Sequence, residues 1–301
     1  MKRSTSRMSE RSKHFRHLLN TQAPLVAPGA ADALTARIIQ EAGFPIVYVT
    51  GAGVSNTMLA EPDVGLVTLT EITERIRHIA NAVTVPVLAD ADTGFGGFGN
   101  VRRTVRAYED AGASGLHFED QEMPKRCGHF EGKTIVSRRE MLIRLQAALD
   151  ARRDPDFVII ARTDARTIEG LDAALDRARA YLDLGVDGVF VEAPQSVEEL
   201  ERVARELPGA LLVANMVEGG KTPLVPAARL GELGYKIVLY ANAPMRLGAF
   251  AVQEGLRVLR EQGTTESILD RMLSWPERQR LVRLEEHERY ERALSERFGA
   301  S

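Results

Sequence analysis

A single cysteine, Cys127, stands in a chain of 301 residues. No intrachain disulfide can form, so a hydrophobic core must hold the fold, and the length is ample for one. A lone cysteine also fits a reducing compartment, which makes a cytoplasmic location the expectation. Positive charge is not in excess either. With 39 Lys and Arg against 42 Asp and Glu, the formal net charge is −3, and nucleic acid is not an expected partner. No apolar run approaches the roughly 20 residues of a membrane span, so no membrane partner is expected. Residues 1–16, rich in Ser, Arg and Lys, lack the apolar core of a secretion signal and read as a disordered tail. No Pro-, Gly- or Ser-rich linker interrupts the interior. The length suits one large α/β barrel or two ordinary domains.

What recurs is a short β-rich apolar run, a polar loop and an amphipathic stretch. The apolar runs cover 24–27, 46–50, 85–89, 115–119, 157–161, 188–192, 211–214 and 236–240. Unbroken runs of this length suit strands buried on both faces of a parallel sheet. Helices are expected over 70–81, where Ile72, Ile76 and Ile79 form one stripe, and over 101–111, 138–151, 170–184, 196–206 and 226–233. Gly43, Gly112, Gly185 and Gly234 stand where left-handed caps are wanted. Eight such strands alternating with helices predict a (β/α)8 TIM barrel over 17–262, against the competing layout of an open doubly wound sheet. Helical patterns at 245–262, 266–273 and 276–298 exceed what one barrel helix uses. Residues 263–301 are therefore expected to form a helical extension packing on a neighbouring subunit.

The site of such a barrel lies at the C-terminal ends of its strands. There the third run delivers Asp90 and Asp92, the fourth Glu119, the fifth Arg162, the sixth Glu192 and the seventh Asn215, while the eighth leads toward Arg246. Two carboxylates two residues apart share one side of an extended chain and repel unless a cation or proton intervenes. Hard oxygen donors with no histidine among them suit Mg²⁺ or Mn²⁺. Glu119 and Asp63 are close enough in the expected layout to join them. The segment 122–133 reads EMPKRCGHFEGK. Lys125, Arg126 and His129 surround Cys127 in sequence, and positive charge nearby makes a thiol a better acid or nucleophile. A loop of this composition can close over a substrate.

Two motifs point elsewhere. Residues 94–99, GFGGFG, satisfy the G-x-G-x-x-G pattern of an NAD-dependent dehydrogenase. Asp90 and Asp92 immediately before it would repel a pyrophosphate, and it follows the third strand, not the first. Gly-Lys-Thr at 132–134 and 220–222 lacks the preceding glycine of a phosphate loop, because Cys127 and Asn215 stand there.

The segments VTGAGVS (49–55), DADTGFGG (90–97), FEDQEMPKRCGH (118–129), IIARTDAR (159–166) and ANMVEGGKTP (214–223) resemble the isocitrate lyase/phosphoenolpyruvate mutase superfamily. That resemblance implies an Mg²⁺-dependent barrel enzyme, usually a homotetramer with swapped C-terminal helices, acting on a small carboxylic acid. It implies metal binding by Asp90, Asp92, Glu119 and Asp63, and substrate-carboxylate binding by Thr50, Gly51 and Ala52. Arg162, Glu192, Asn215 and Arg246 would position substrate, with Gly128 beside them. Lys125-Arg126-Cys127-Gly128-His129 matches the lyase form of the loop, in which Cys is the acid/base, with Lys125, His129 and Arg162 counted in the catalytic set. The implied reaction is cleavage of a 2-hydroxy di- or tricarboxylate, of the 2,3-dimethylmalate or 2-methylisocitrate type, to pyruvate and a carboxylic acid. A carboxyphosphonoenolpyruvate-type phosphonomutase and an oxaloacetate hydrolase or decarboxylase are the alternatives. The 2-methylisocitrate lyases add an arginine early in the penultimate C-terminal segment. Here 273–277 reads LSWPE, so the smaller dicarboxylate is expected.

Overall fold

The computed structural model describes residues 2–128 and 132–299. Eight parallel strands close a barrel in chain order: β1 (Leu25–Ala30), β2 (Val47–Val49), β3 (Val87–Asp90), β4 (Gly115–Glu119), β5 (Val158–Thr163), β6 (Gly188–Val191), β7 (Leu211–Asn215) and β8 (Tyr235–Tyr240). Closure is direct, with Leu25, Val26, Ala27 and Pro28 of β1 registered against Ile237 to Tyr240 of β8. All eight apolar runs are strands, and a closed sheet rules out the open doubly wound layout. The first run extends three residues past its expected end, because β8 supplies partners as far as Pro28 and β2 pairs with Gly29 and Ala30.

The helices are α1 (Lys2–Thr21), α2 (Ala33–Glu41), α3 (Gly51–Val54), α4 (Leu69–Ala82), α5 (Phe98–Ala111), α6 (Arg138–Ala151), α7 (Leu171–Leu184), α8 (Val197–Glu206), α9 (Ala227–Leu233), α10 (Ala243–Gln262), α11 (Trp275–Leu281) and α12 (Leu284–Phe298). α4 shows why they form. A Thr68/Glu71 capping box starts it, and Leu69, Ile72, Ile76 and Ile79 bury one stripe. α5 stops at Gly112 (φ +94°), a left-handed cap that costs a glycine nothing.

The expectation of a disordered tail over 1–16 is corrected. Residues 2–21 are helical. Phe15, Leu18 and Leu19 are buried in one cluster with the barrel-lining residues Leu25, Ile46, Leu88, Val158, Ile160, Val213 and Ile237. Arg11 donates to the Val83 carbonyl at 2.6 Å, and Arg16 reaches Asp187 at 2.8 Å. Apolar residues three and four apart in the last two turns close one end of the barrel, and this burial outweighs the polar first half.

The chain divides into two compact units, Met1–Met245 and Arg246–Ser301, so the division falls earlier than the expected 262. In the second unit, 266–271 is a 3₁₀ turn and not part of a helix over 266–273. The helix expected over 276–298 is broken between α11 and α12, where Arg283 takes φ +58°.

Candidate active site

Four acidic side chains gather around one ammonium. Asp90 closes β3 and Glu119 closes β4. Asp92 follows in the loop and Asp63 comes from the segment between β2 and α4. Lys125 Nζ forms ion pairs with Asp63 Oδ1 and, at 2.6 Å, with Asp92 Oδ1. Asp90 and Asp92 meet for a different reason than strand alternation. β3 ends at Asp90, and Asp92 sits at φ +44°, so the two are not alternate residues of one extended strand. A turn brings them together: the Asp92 amide donates to Asp90 Oδ1 at 3.0 Å. Left-handed backbone at a non-glycine residue costs of order 1 kcal/mol and concentrates at functional sites. The Glu119 amide, donating to the Asp92 carbonyl at 2.9 Å, and the Tyr108 hydroxyl, donating to the Asp90 carbonyl at 2.8 Å, hold it there.

Lys125, beside Cys127 in sequence, has a part that the sequence did not show: its ammonium neutralises Asp63 and Asp92, and its side chain is 3% exposed. Those carboxylates, with Glu119 and Asp90, keep the Lys125 pKa well above its ordinary value despite burial. One ammonium does not satisfy four acids. Burial first, then Asp90 and Asp63, push Asp92 up to about 7 against the pull of Lys125. Burial likewise raises Glu119 well above the carboxylate range, against Arg162 and Lys125. Burial acts to raise Asp90 too, yet His117, Lys125 and Arg162 hold it below its usual value. Glu119 Oε1 is buried without a hydrogen-bond partner, and Asp92 Oδ1 has only the ammonium that it shares with Asp63.

Sequence reading missed His117 and Tyr48. Both point into the barrel from β4 and β2, with Tyr48 Oη 2.8 Å from His117 Nε2 and His117 Nδ1 3.8 Å from Asp90 Oδ1. Burial lowers the His117 pKa, against the pull of Asp90. An inward-facing polar residue in an otherwise apolar strand was the available signal.

Thr50 caps α3, accepting from the Gly53 amide at 3.1 Å and donating to Asn242 Oδ1 at 3.2 Å. Gly51 and Ala52 form the turn behind it, and the Gly51 amide donates to Asp90 Oδ2 at 3.3 Å. A Cβ at Gly51 would stand 2.8 Å from that oxygen and 3.5 Å from Asp92 Oδ1, so only glycine lets the turn approach both carboxylates.

Across the barrel mouth, Arg162 lies 3.3 Å from Glu119 Oε2 and 3.6 Å from Glu192 Oε2. Asn215 Nδ2 donates to the same Glu192 oxygen at 3.3 Å. Cys127 is partly exposed. The Gln121 side chain clamps the preceding residue, accepting from the Arg126 amide at 2.9 Å and donating to its carbonyl at 2.8 Å. Gly128 packs so closely that a Cβ would fall 2.7 Å from Glu192 Cγ. Arg246 opens the second unit, and His129 lies outside the described residues. The structure thus brings Asp63, Asp90, Asp92, Glu119 and Lys125 into one cluster, and Arg162, Glu192, Asn215 and Gly128 into an adjoining one.

The model of the phosphoenolpyruvate phosphomutase family matches residues 15–260. The chain belongs to the isocitrate lyase/phosphoenolpyruvate mutase superfamily. A 2,3-dimethylmalate lyase of Eubacterium barkeri is 48% identical over 271 residues, spanning 90% of this chain and 93% of that protein. The probable 2-methylisocitrate lyase 1 of Corynebacterium glutamicum is 49% identical over 270 residues, 89% of this chain and 87% of that protein. A crystal structure of 2,3-dimethylmalate lyase superposes on this superfamily member with a TM-score of 0.88 at 36% identity, covering 93% of this chain and 94% of that one.

Membership of this superfamily brings a divalent metal, and the acidic cluster suits one. Its donors are hard oxygens, Glu119 Oε1 among them buried without a hydrogen-bond partner, and its acids outnumber their one shared ammonium. Among the described residues no three His, Cys, Asp or Glu side chains form a ready cage. Mg²⁺ needs none, since it keeps several waters and takes one or two carboxylates.

Proposed function

We propose that this superfamily member is an Mg²⁺-dependent carbon–carbon lyase that cleaves a 2-hydroxy dicarboxylate of the 2,3-dimethylmalate type, releasing pyruvate and a carboxylic acid. The observation that carries the reading is the adjacency of two sets. Under-neutralised acids, Asp92 sharing one ammonium with Asp63 and Glu119 Oε1 without a hydrogen-bond partner, lie beside an Arg162–Glu192–Asn215 cluster onto which Gly128 packs.

Asp90, Asp92, Glu119 and Asp63 would hold the metal, partly through water. When bound, the ion supplies Lewis-acid polarisation of the substrate carboxylate and hydroxyl. Arg162 and the turn at Thr50, Gly51 and Ala52 bind the two carboxylates, and Glu192, Asn215 and Gly128 orient the substrate. The 2-hydroxyl gives up its proton to a neighbouring carboxylate of the site as the C2–C3 bond breaks, its electron pair staying on C3, and leaves a 2-oxo acid and a carbanion. Cys127 protonates that carbon. Lys125 steadies the acids around the reacting centre, and His129 is assigned to the loop that delivers the thiol. Burial keeps water from competing for the carbanion.

The exposed apolar residues of the second unit, among them Leu247, Phe250, Trp275 and Phe298, support a homo-oligomer, most simply a homotetramer, in which neighbours cover these faces. The single cysteine supports a cytoplasmic location.

The test is pyruvate release with Mg²⁺ from 2,3-dimethylmalate, 2-methylisocitrate and oxaloacetate. The dicarboxylate 2,3-dimethylmalate should lead 2-methylisocitrate in kcat/KM by tenfold or more, about 1.4 kcal/mol of transition-state preference. The reverse ratio would reject the dicarboxylate assignment. Cys127→Ser should keep KM and cut kcat by about 10²-fold, the scale of acid catalysis. Near-normal turnover would remove the thiol from the chemistry and favour the phosphonomutase.

A further inference from the structure

Lys133 lies outside both clusters, yet its side chain is 1% exposed. A buried ammonium needs partners on every side that has lost water. Among the described residues Lys133 Nζ has two: it donates to the Gly128 carbonyl at 2.5 Å and to Asp164 Oδ1 at 2.7 Å. Asp164 in turn accepts from Arg162, with Nε at 2.9 Å from Oδ2 and Nη2 at 3.1 Å from Oδ1. One carboxylate therefore ties the loop to the guanidinium assigned to substrate.

The support continues outward. The Asp164 amide donates to Asp120 Oδ1 at 2.9 Å. Asp120 Oδ2 accepts from the Thr163 hydroxyl at 2.7 Å and the Tyr181 hydroxyl at 2.9 Å, with Arg177 at 3.4 Å. Asp164 is anchored in the wall between β4, β5 and α7, so whatever it holds is held firmly. What it holds, through Lys133, is the carbonyl of the residue after Cys127, whose α-carbon packs against Arg162 and Glu192.

We infer that Lys133 is a positioning residue that fixes Cys127 for proton delivery by binding the Gly128 carbonyl to Asp164. This rests on the lyase reading for its effect on turnover, but not for the anchoring itself. Consecutive Cα atoms are 3.8 Å apart, so freeing the Gly128 carbonyl frees the thiol, and a displacement of about 1 Å costs on the order of 10²-fold in rate.

Cys127 is the only thiol in the chain, so its alkylation by iodoacetamide reads the loop without any substrate. Lys133→Met removes the ammonium, and with it both hydrogen bonds, and keeps the stem. It should raise the alkylation rate fivefold or more, lower kcat 10- to 100-fold and leave KM within threefold. Lys133→Arg, which keeps the charge, should return kcat to within tenfold of wild type. Circular dichroism checks that the Met variant is folded; if it is not, Lys133→Gln, which can serve only one of the two partners, takes the same measurements. Wild-type alkylation in the folded variant overturns the proposal, even where kcat falls, because Lys133 would then only neutralise Asp164. Faster alkylation in a protein that cleaves no 2-hydroxy acid would instead overturn the lyase reading and leave the anchor standing.

Discussion

Asp92 follows β3 and Asp164 follows β5, both are buried, and they meet opposite electrostatic fates. Asp164 stands between Lys133 and Arg162. Burial works to raise its pKa, but those two cations bring it down to about 2. Asp92 shares Lys125 with Asp63, and burial with its acidic neighbours lifts it to about 7. The difference is the count of cations the chain itself provides. A carboxylate that serves as scaffold has its counter-charges built in. One that serves a metal is left short of charge, and the deficit is what an ion from solution fills.

Three experiments act on that contrast. The largest effect is metal removal. Dialysis against EDTA should abolish activity, and Mg²⁺ or Mn²⁺ should restore it; full turnover in EDTA would end the metal assignment. Next is Asp164→Asn, which leaves Lys133 and Arg162 buried beside a neutral group and should cost about 3–5 kcal/mol at pH 7. The sign follows from the depressed pKa. The Asp164 contribution is present above the unfolded value of about 3.9 and is lost as pH falls through that value toward 2. Urea denaturation of both proteins at pH 7 measures the cost, and equal midpoints would show that the carboxylate holds nothing.

The smallest effect has the opposite sign. With its folded pKa raised, Asp92 contributes stability that is present below about 3.9 and lost as pH rises through 7. Metal-free Asp92→Asn should therefore be more stable than metal-free wild type at pH 8, by on the order of 1–2 kcal/mol, because Lys125 gives up part of the gain when it loses a partner. The same variant should be inactive. A destabilised Asp92→Asn would mean that both aspartates are scaffold, and the contrast would collapse.

Much of this was legible in the sequence for a physical reason. Barrel strands buried on both faces read as unbroken apolar runs, and the acids at their ends read as one rim. α1 was hidden because Ser, Arg and Lys fill its first turns and only Phe15, Leu18 and Leu19 carry the apolar stripe. The break before α12 was hidden because no Gly or Pro marks it; Arg283 takes the left-handed turn itself. In the site, ligand types could be read, but partners could not. Lys125 lies two residues from Cys127 yet bonds Asp63, 62 positions away. The pairs of Asp120 with Arg177 and Tyr181 span 57 and 61 positions. Contacts of that range are set by the closed sheet and leave no local pattern.

Phe15, Leu18 and Leu19 pack onto the side chains that fill the barrel, so the interior is solid beneath the acidic cluster and the rim is the way in and out. Two products made inside must depart past the same rim, so the fragment nearer the opening has to go before the deeper one can follow. Departure is then sequential, and the deeper product should inhibit competitively against substrate while the outer one does not. Two competitive patterns would mean that the products leave in either order.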